Sequence, residues 1–130
     1  MSLNTQIKVN HIAVHVSELR HSMDFYQHVI GLREIEEPFK DGLHAWYEIG
    51  DGVSLHLIEA PSMPREKSKV NHLCFSVSDL EAFMQNLKKH GVPFGNWEGA
   101  IGTVNLRGDG IRQIFFQDLD GYWLEVNDDF

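Results

Sequence analysis

The sequence predicts an α+β fold: two tandem βαβββ modules forming curved mixed sheets, with their helices on the outer face. Three observations predict it. The run Val9-Asn10-His11-Ile12-Ala13-Val14-His15-Val16-Ser17-Glu18-Leu19 recurs as Val70-Asn71-His72-Leu73-Cys74-Phe75-Ser76-Val77-Ser78-Asp79-Leu80. Each copy passes from strand-like alternation into helical spacing. Each is then followed by short apolar runs separated by turn residues, the mark of further strands. The modules span residues 7–59 and 70–128, joined by a linker at 60–69, and together make one domain over 7–128.

In the first module, residues 9–16 alternate. Ile12, Val14 and Val16 share one face, and His11, Ala13 and His15 share the other. Ser17 is the candidate helix N-cap. Leu19, Met23, Tyr26 and Ile30 follow at helical spacing, and Gly31 supplies the stop. Strands are expected over 32–37, 43–49 and 53–59, with Asp41-Gly42 and Asp51-Gly52 as hairpin turns. Residues 60–69 hold two prolines, two serines and four charges, a linker composition.

In the second module, Ser78-Asp79-Leu80-Glu81 reads as a capping box with Ser78 at the cap. Leu80, Phe83, Met84 and Leu87 form the apolar stripe, and Gly91 and Pro93 end the helix. Strands are expected over 93–97, 112–117 and 122–127. Asp118-Leu119-Asp120-Gly121 makes the last hairpin turn. Residues 98–110 contain four glycines and are expected to form a mobile loop.

Bulk properties narrow the function. A chain of 130 residues can bury a real core. The net charge of −8 argues against nucleic acid and anionic membranes as partners. A single cysteine excludes an intrachain disulfide and fits a reducing, cytoplasmic setting. Residues 1–6 read as a short polar tail. The sequence shows no signal-peptide pattern and no apolar run long enough to span a bilayer. A small-molecule substrate is the expected partner.

Strand parity sorts the chemistry. With the apolar side chains of each strand turned to the helices, the opposite faces present His11, His56, His72 and Glu125. His56 sits between Leu55 and Leu57, and Glu125 between Leu124 and Val126. Three imidazoles and one carboxylate suit a divalent transition metal, leaving positions for water or a chelating substrate. Glu59 is a rival ligand, but its parity puts it with Leu55 and Leu57, so His56 is preferred. His15 and Cys74 share the ligand face and are expected to line the pocket. Trp46, Arg112 and the 98–110 loop are expected to shape it. His21, His28, His44 and His90 fall on helices or turns and read as solvated or capping residues.

These segments carry a resemblance. Asn10-His11-Ile12-Ala13-Val14, the helix from Ser22-Met23-Asp24-Phe25-Tyr26 to Ile30-Gly31-Leu32, Asn71-His72-Leu73-Cys74-Phe75-Ser76-Val77 and Asp118-Leu119-Asp120-Gly121-Tyr122-Trp123-Leu124-Glu125 resemble the vicinal oxygen chelate superfamily. That superfamily includes glyoxalase I, methylmalonyl-CoA epimerase, fosfomycin-resistance proteins, extradiol dioxygenases and bleomycin-binding proteins. The resemblance places the four ligands of bacterial glyoxalase I at His11, His56, His72 and Glu125. The position of His56 is usually Glu there and Gln in the epimerases. Glyoxalase I's glutathione-contacting Arg and Asn fall near His15 and Ala60, and neither matches. Fosfomycin-resistance proteins and extradiol dioxygenases use three ligands, matching His11, His72 and Glu125.

The resemblance implies a metal-dependent lyase or isomerase related to lactoylglutathione lyase, holding one divalent ion (Zn, Ni, Co, Mn or Fe). It would move a proton α to a carbonyl, with Glu125 as base. An extradiol-type dioxygenase, or a non-catalytic small-molecule binding or resistance protein, is the alternative. It also implies a homodimer with each site at the subunit interface, one subunit supplying the first-half ligands and the other the second-half pair.

Overall fold

Strand β1 (His11–Val16) leads into helix α1, which is α-helical over Leu19–Asp24 and wound in wider π turns over Phe25–Ile30. Strands β2 (Arg33–Ile35), β3 (His44–Gly50) and β4 (Val53–Glu59) complete the first module. The second runs β5 (Leu73–Ser76), α2 (Leu80–Lys89), β6 (Asn105–Leu106), β7 (Arg112–Gln117) and β8 (Trp123–Asn127). The computed structural model describes residues 5–60 and 68–130. Most of the expected tail and linker (1–4 and 61–67) lies outside the described residues. The two sheets have the same plan, β1-β4-β3-β2 and β5-β8-β7-β6. In each, the first strand lies parallel to the last and the other pairings are antiparallel.

The α+β fold of two βαβββ modules therefore stands, and its core lies between the sheets and helices. Val14, Val16, Leu55, Leu57, Tyr47 and Ala45 form the buried back face of the first sheet, against Leu19, Phe25, Tyr26 and Val29 of α1. Leu73, Leu124, Val126, Ile114 and Phe116 do the same against Leu80, Met84 and Leu87 of α2. Each such aliphatic or aromatic side chain contributes about 1.5–3 kcal/mol on burial. The π winding moves the buried face of α1: Phe25 and Val29 are buried, while Met23 and Ile30 are only half-buried.

Polar bonds join the modules. The buried Tyr26 hydroxyl donates to Asp118 Oδ2 at 2.8 Å. Asn86 Nδ2 donates to the carbonyls of His28 and Val29 at 3.0 and 2.8 Å. Ser17 donates through its backbone N–H and, at 2.5 Å, its hydroxyl to Asp120.

That last contact corrects an expectation. Ser17 does not cap α1; Glu18 occupies the cap position, and the free Leu19 N–H is accepted by Glu59 Oε2 at 2.9 Å. In α2 the cap is Asp79 rather than Ser78, its carboxylate accepting from Ala82 N at 3.0 Å. Asp51 and Gly52 have φ of 45° and 79°, the left-handed pair that a two-residue hairpin turn requires. Asp41-Gly42 is not such a turn, because β2 already ends at Ile35 and the Glu37 carboxylate folds the connection by accepting from Phe39 N and Lys40 N. The expected strand over 93–97 shrinks to Gly95, which exchanges backbone bonds with Phe115. A Cβ on Gly95 would lie 2.6 Å from Ala100 O, so the chain folds over itself there instead of extending. The 98–110 segment supplies β6 as the sheet's fourth strand, paired with β7. It also holds hydrogen bonds from Gly102 N to Phe94 O and from Ala100 N to Asn96 Oδ1, and the Arg107–Asp109 pair, so a short strand and defined contacts stand where only a loop is expected.

Candidate functional site

The register of the first sheet aligns its front-face side chains in rows. His11, Ser54, Glu48 and Arg33 are successive neighbours across the strands, and so are Ala13, His56, Trp46 and Ile35. His56 is buried and its ring lies flat between two others: Trp46 at 3.8 Å and 0°, His11 at 4.1 Å and 10°. His56 Nε2 bonds to Ser54 Oγ at 2.8 Å. Burial, then the charges of His11 and His44, hold its pKa below the usual histidine value, which favours the neutral, metal-competent ring. His11 is exposed, and its Nδ1 meets Asn10 Oδ1 at 2.7 Å, so Nδ1 carries the proton and Nε2 the lone pair. A cleft of about 410 Å³ lies beside this pair, lined by Asn10, Arg33, Trp46, Glu48, Ser54 and His56. Arg33 is salt-bridged to Glu48 across it.

The second sheet presents a tighter pair. His72 Nε2 lies 3.0 Å from Glu125 Oε1, and the Glu125 side chain is only 7% exposed. His72 Nδ1 lies 2.8 Å from the Lys69 carbonyl, which can only accept. Nδ1 therefore donates, and Nε2 meets the carboxylate oxygen either as the second N–H of an imidazolium or across a bound cation. Two acceptors at this distance repel unless a cation, a proton or a metal, sits between them. Gln113 Nε2 at 2.8 Å and Asn127 Nδ2 at 3.3 Å both donate to Glu125 Oε2. Asn105 Nδ2 donates in turn to Gln113 Oε1. Phe115 stands edge-on to the His72 ring.

The donor set fits a divalent ion on these observations. The 3.0 Å between His72 Nε2 and Glu125 Oε1 is the spacing of two adjacent ligand atoms about one ion with bonds of about 2.1 Å. His11 and His72 each commit Nδ1–H to an oxygen, the arrangement that fixes a ligating imidazole. Because the His11 and His56 rings are stacked nearly parallel, one ring must turn for both to converge on one ion. His11, the exposed member, is the one with room to turn. Glu59 is spoken for by α1.

The two pairs lie on different sheets, and no strand of one sheet bonds to a strand of the other among the described residues. Among those residues no three His, Cys, Asp or Glu side chains of one chain gather closely enough to hold a metal. Among the described residues, the outer edges of β1 and β5, each beside a histidine, have no strand partner.

The remaining expected pocket residues divide. His15 Nε2 and Trp46 Nε1 are buried on the front face without a hydrogen-bond partner among the described residues. Cys74 is the sheet neighbour of Glu125, and its Sγ accepts from Asn127 Nδ2. Desolvation, then the adjacent Glu125 charge, pushes its thiol up to about 12, although the residue as a whole is exposed. Arg112 does not reach the front face. Its parity is that of Ile114 and Phe116, and it is bound to Asp128 and to Glu81 of α2, on the helix side. Ser54, Gln113, Asn127 and the Lys69 carbonyl were not anticipated from sequence. Gln113 and Asn127 do share the parity of Phe115 and Glu125, and that signal was available. The Lys69 contact had none.

The model of the Glyoxalase/Bleomycin resistance protein/Dioxygenase superfamily matches residues 8–126. Glyoxylase I 4 of Arabidopsis thaliana is 27% identical over 124 residues, covering 91% of this chain and 68% of its own. Metallothiol transferase FosB of Shouchella clausii (strain KSM-K16) is 30% identical over 123 residues, covering 92% of this chain and 78% of its own. The crystal structure of a glyoxalase/dioxygenase from Nostoc punctiforme superposes with a TM-score of 0.75 at 23% identity, covering 99% of each chain.

Proposed function

We propose, for a chain that belongs to the glyoxalase/bleomycin resistance protein/dioxygenase superfamily, a metal-dependent lyase or isomerase of the glyoxalase I type. It would move a proton α to a carbonyl of a small oxygen-chelating substrate. The observation that carries this reading is the His72–Glu125 pair, whose Nε2 and Oε1 stand 3.0 Å apart, the spacing of neighbouring ligand atoms on one ion. His11, His56, His72 and Glu125 would hold the ion. The open edges of β1 and β5 support a homodimer in which His11 and His56 of one subunit meet His72 and Glu125 of the partner subunit.

A bound divalent ion supplies Lewis-acid polarisation of the substrate oxygens. The chain's own residues supply the rest. Glu125 is the only carboxylate in the set, so, loosened from the ion, its Oε1 would take and return the proton. Gln113 and Asn127 keep Oε2 fixed while Oε1 works. The Trp46 ring covers His56, and Phe115 stands against the His72 ring. The single cysteine suits a reducing cytoplasm.

Purified protein would be stripped of metal and reloaded separately with Zn, Ni, Co, Mn and Fe(II). Solvent deuterium uptake at the α-carbon would then be followed for hemithioacetals of 2-oxoaldehydes with glutathione and with smaller thiols. One ion per site, exchange that needs it, and loss of exchange in Glu125→Gln are expected. Full turnover by a metal-loaded Glu125→Gln protein would remove Glu125 from the role of base.

One observation favours a second reading. His56 is engaged by Ser54 and clamped in the ring stack, which leaves His11, His72 and Glu125 as a two-histidine, one-carboxylate set. That set suits an Fe(II) oxygenase, and oxygen consumption with catechols by the iron-loaded protein distinguishes it from the lyase.

A further inference from the structure

Apart from the two candidate pairs, the second module holds a cavity of about 160 Å³ where the 93–101 segment folds over β7. Its walls are largely aromatic: Phe94, Phe115 and Phe116 are buried there, and Trp123 joins them. Gly95 and Gly99 also line it and contribute no side chain to fill it. None of His11, His56, His72 and Glu125 is among the lining residues.

The one charged residue lining this cavity is Lys69. Its ammonium lies over three rings, Trp123 at 4.7 Å, Phe115 at 5.1 Å and Trp97 at 5.2 Å. It donates to Trp97 O at 2.6 Å and to Asn96 O at 3.1 Å. Those bonds use two of its three N–H groups and leave the third. The rings and carbonyls stabilise the charge only in part, since desolvation still lowers the Lys69 pKa from the usual lysine value. Among the described residues no carboxylate pairs with it, and Glu98 acts on it only through space. Asn96 lines the cavity too. Its Oδ1 accepts the Ala100 N–H at 2.9 Å, and its Nδ2 has no acceptor among the described residues.

We propose that this cavity is a binding site for a compact monocarboxylate, with the carboxylate on Lys69 and Asn96 and an apolar body against the aromatic walls. The volume suits that class, because a dry apolar cavity of about 150 Å³ holds a benzene molecule. One desolvated cation suits one negative charge, and hydrogen bonds to an ionised group are roughly twice as strong as neutral ones. A phosphate would bring a second charge without a partner and no apolar surface for the walls. A cationic ligand would meet the ammonium. The inference stands apart from the metal reading, because no candidate ligand borders the cavity.

The test uses metal-free, full-length protein at about pH 7, where benzoate is ionised. Benzoate, benzamide and benzylamine, three probes of one size and different charge, would each be titrated while ¹H–¹⁵N correlation spectra are followed. Benzoate is expected to move the backbone signals of residues 94–101 and 115–117 and to show NOEs to the Ile101 methyls and the Trp123 ring. It should bind about 10-fold or more tighter than benzamide, with benzylamine weakest. Lys69→Met, checked for folding by circular dichroism, should bind benzoate no better than benzamide. Absence of saturable benzoate binding, equal affinity for benzoate and benzamide, tighter binding of benzylamine, or shifts and NOEs confined to other residues would each overturn the proposal. So would a benzoate preference that survives in Lys69→Met. If Lys69→Met does not fold, the wild-type ranking and the NOEs decide.

Discussion

Removing the hydroxyl of Tyr26 tests how the two modules are held to one another. Tyr26 is fully buried, and its hydroxyl donates to Asp118 Oδ2 at 2.8 Å across 92 residues of chain. Asp118 is also buried, and its Oδ1 accepts the backbone N–H groups of Asp120 and Tyr122. Tyr26→Phe keeps the ring and its packing, so the cost is that of a hydrogen bond to a charged acceptor, about 1.5–3 kcal/mol. In a chain of 130 residues this corresponds to a fall in Tm of roughly 5–12 °C. Urea unfolding at neutral pH gives the free energy directly, with m unchanged if the unfolding stays two-state. A cycle with Asp118→Asn isolates the pair: the double variant should be less destabilised than the sum of the singles. A loss below about 0.5 kcal/mol with no coupling to Asp118 would refute the claim that this bond joins the modules.

Further predictions concern single groups. Asp79→Ala should cost about 1 kcal/mol by removing the α2 cap, while Ser78→Ala should be close to neutral; thermal melts of both variants check the corrected cap. His56 is held below its ordinary pKa chiefly by burial, so the unfolded chain binds its proton first as pH falls. Its contribution is intact above the unfolded value near 6.5 and is lost as pH falls through the folded one. The loss of Tm between about pH 7 and 5 should therefore be shallower in His56→Gln than in wild type. Cys74, with its thiol pushed up to about 12, should react with iodoacetamide at pH 8 on the order of 10³-fold more slowly than an unperturbed cysteine. Labelling followed by mass spectrometry measures that rate, and Glu125→Gln, which removes the second cause of the shift, should raise it.

Much of the fold was legible because its determinants are local and repeated. The alternation of residues 9–16 and the copy that follows Val70 placed β1 and β5, and parity put His11, His56, His72 and Glu125 on the faces away from the helices. Gly31 and Asp51-Gly52 marked real breaks, since their backbone angles suit few other residues. The failures lay where a side chain chooses between a near and a distant partner. Ser17 has a good capping residue's chemistry, yet its hydroxyl goes to Asp120, 103 residues away, and Glu59 from β4 serves the helix end instead. Arg112 had the right strand for the pocket but the parity of the helix side, where Glu81 and Asp128 receive it.

By itself, then, the sequence determined which residues share the strand faces turned from the helices, because a strand's period of two depends on nothing beyond the strand. Only the tertiary structure decided how those residues meet. It joined His11 to His56 across a parallel ladder, with Ser54 and Trp46 holding the ring, and His72 to Glu125 across another. It also kept the two pairs on separate sheets, each beside a strand edge that has no partner among the described residues. Distances between strands arise from packing of the whole chain, and no pattern along a single strand contains them.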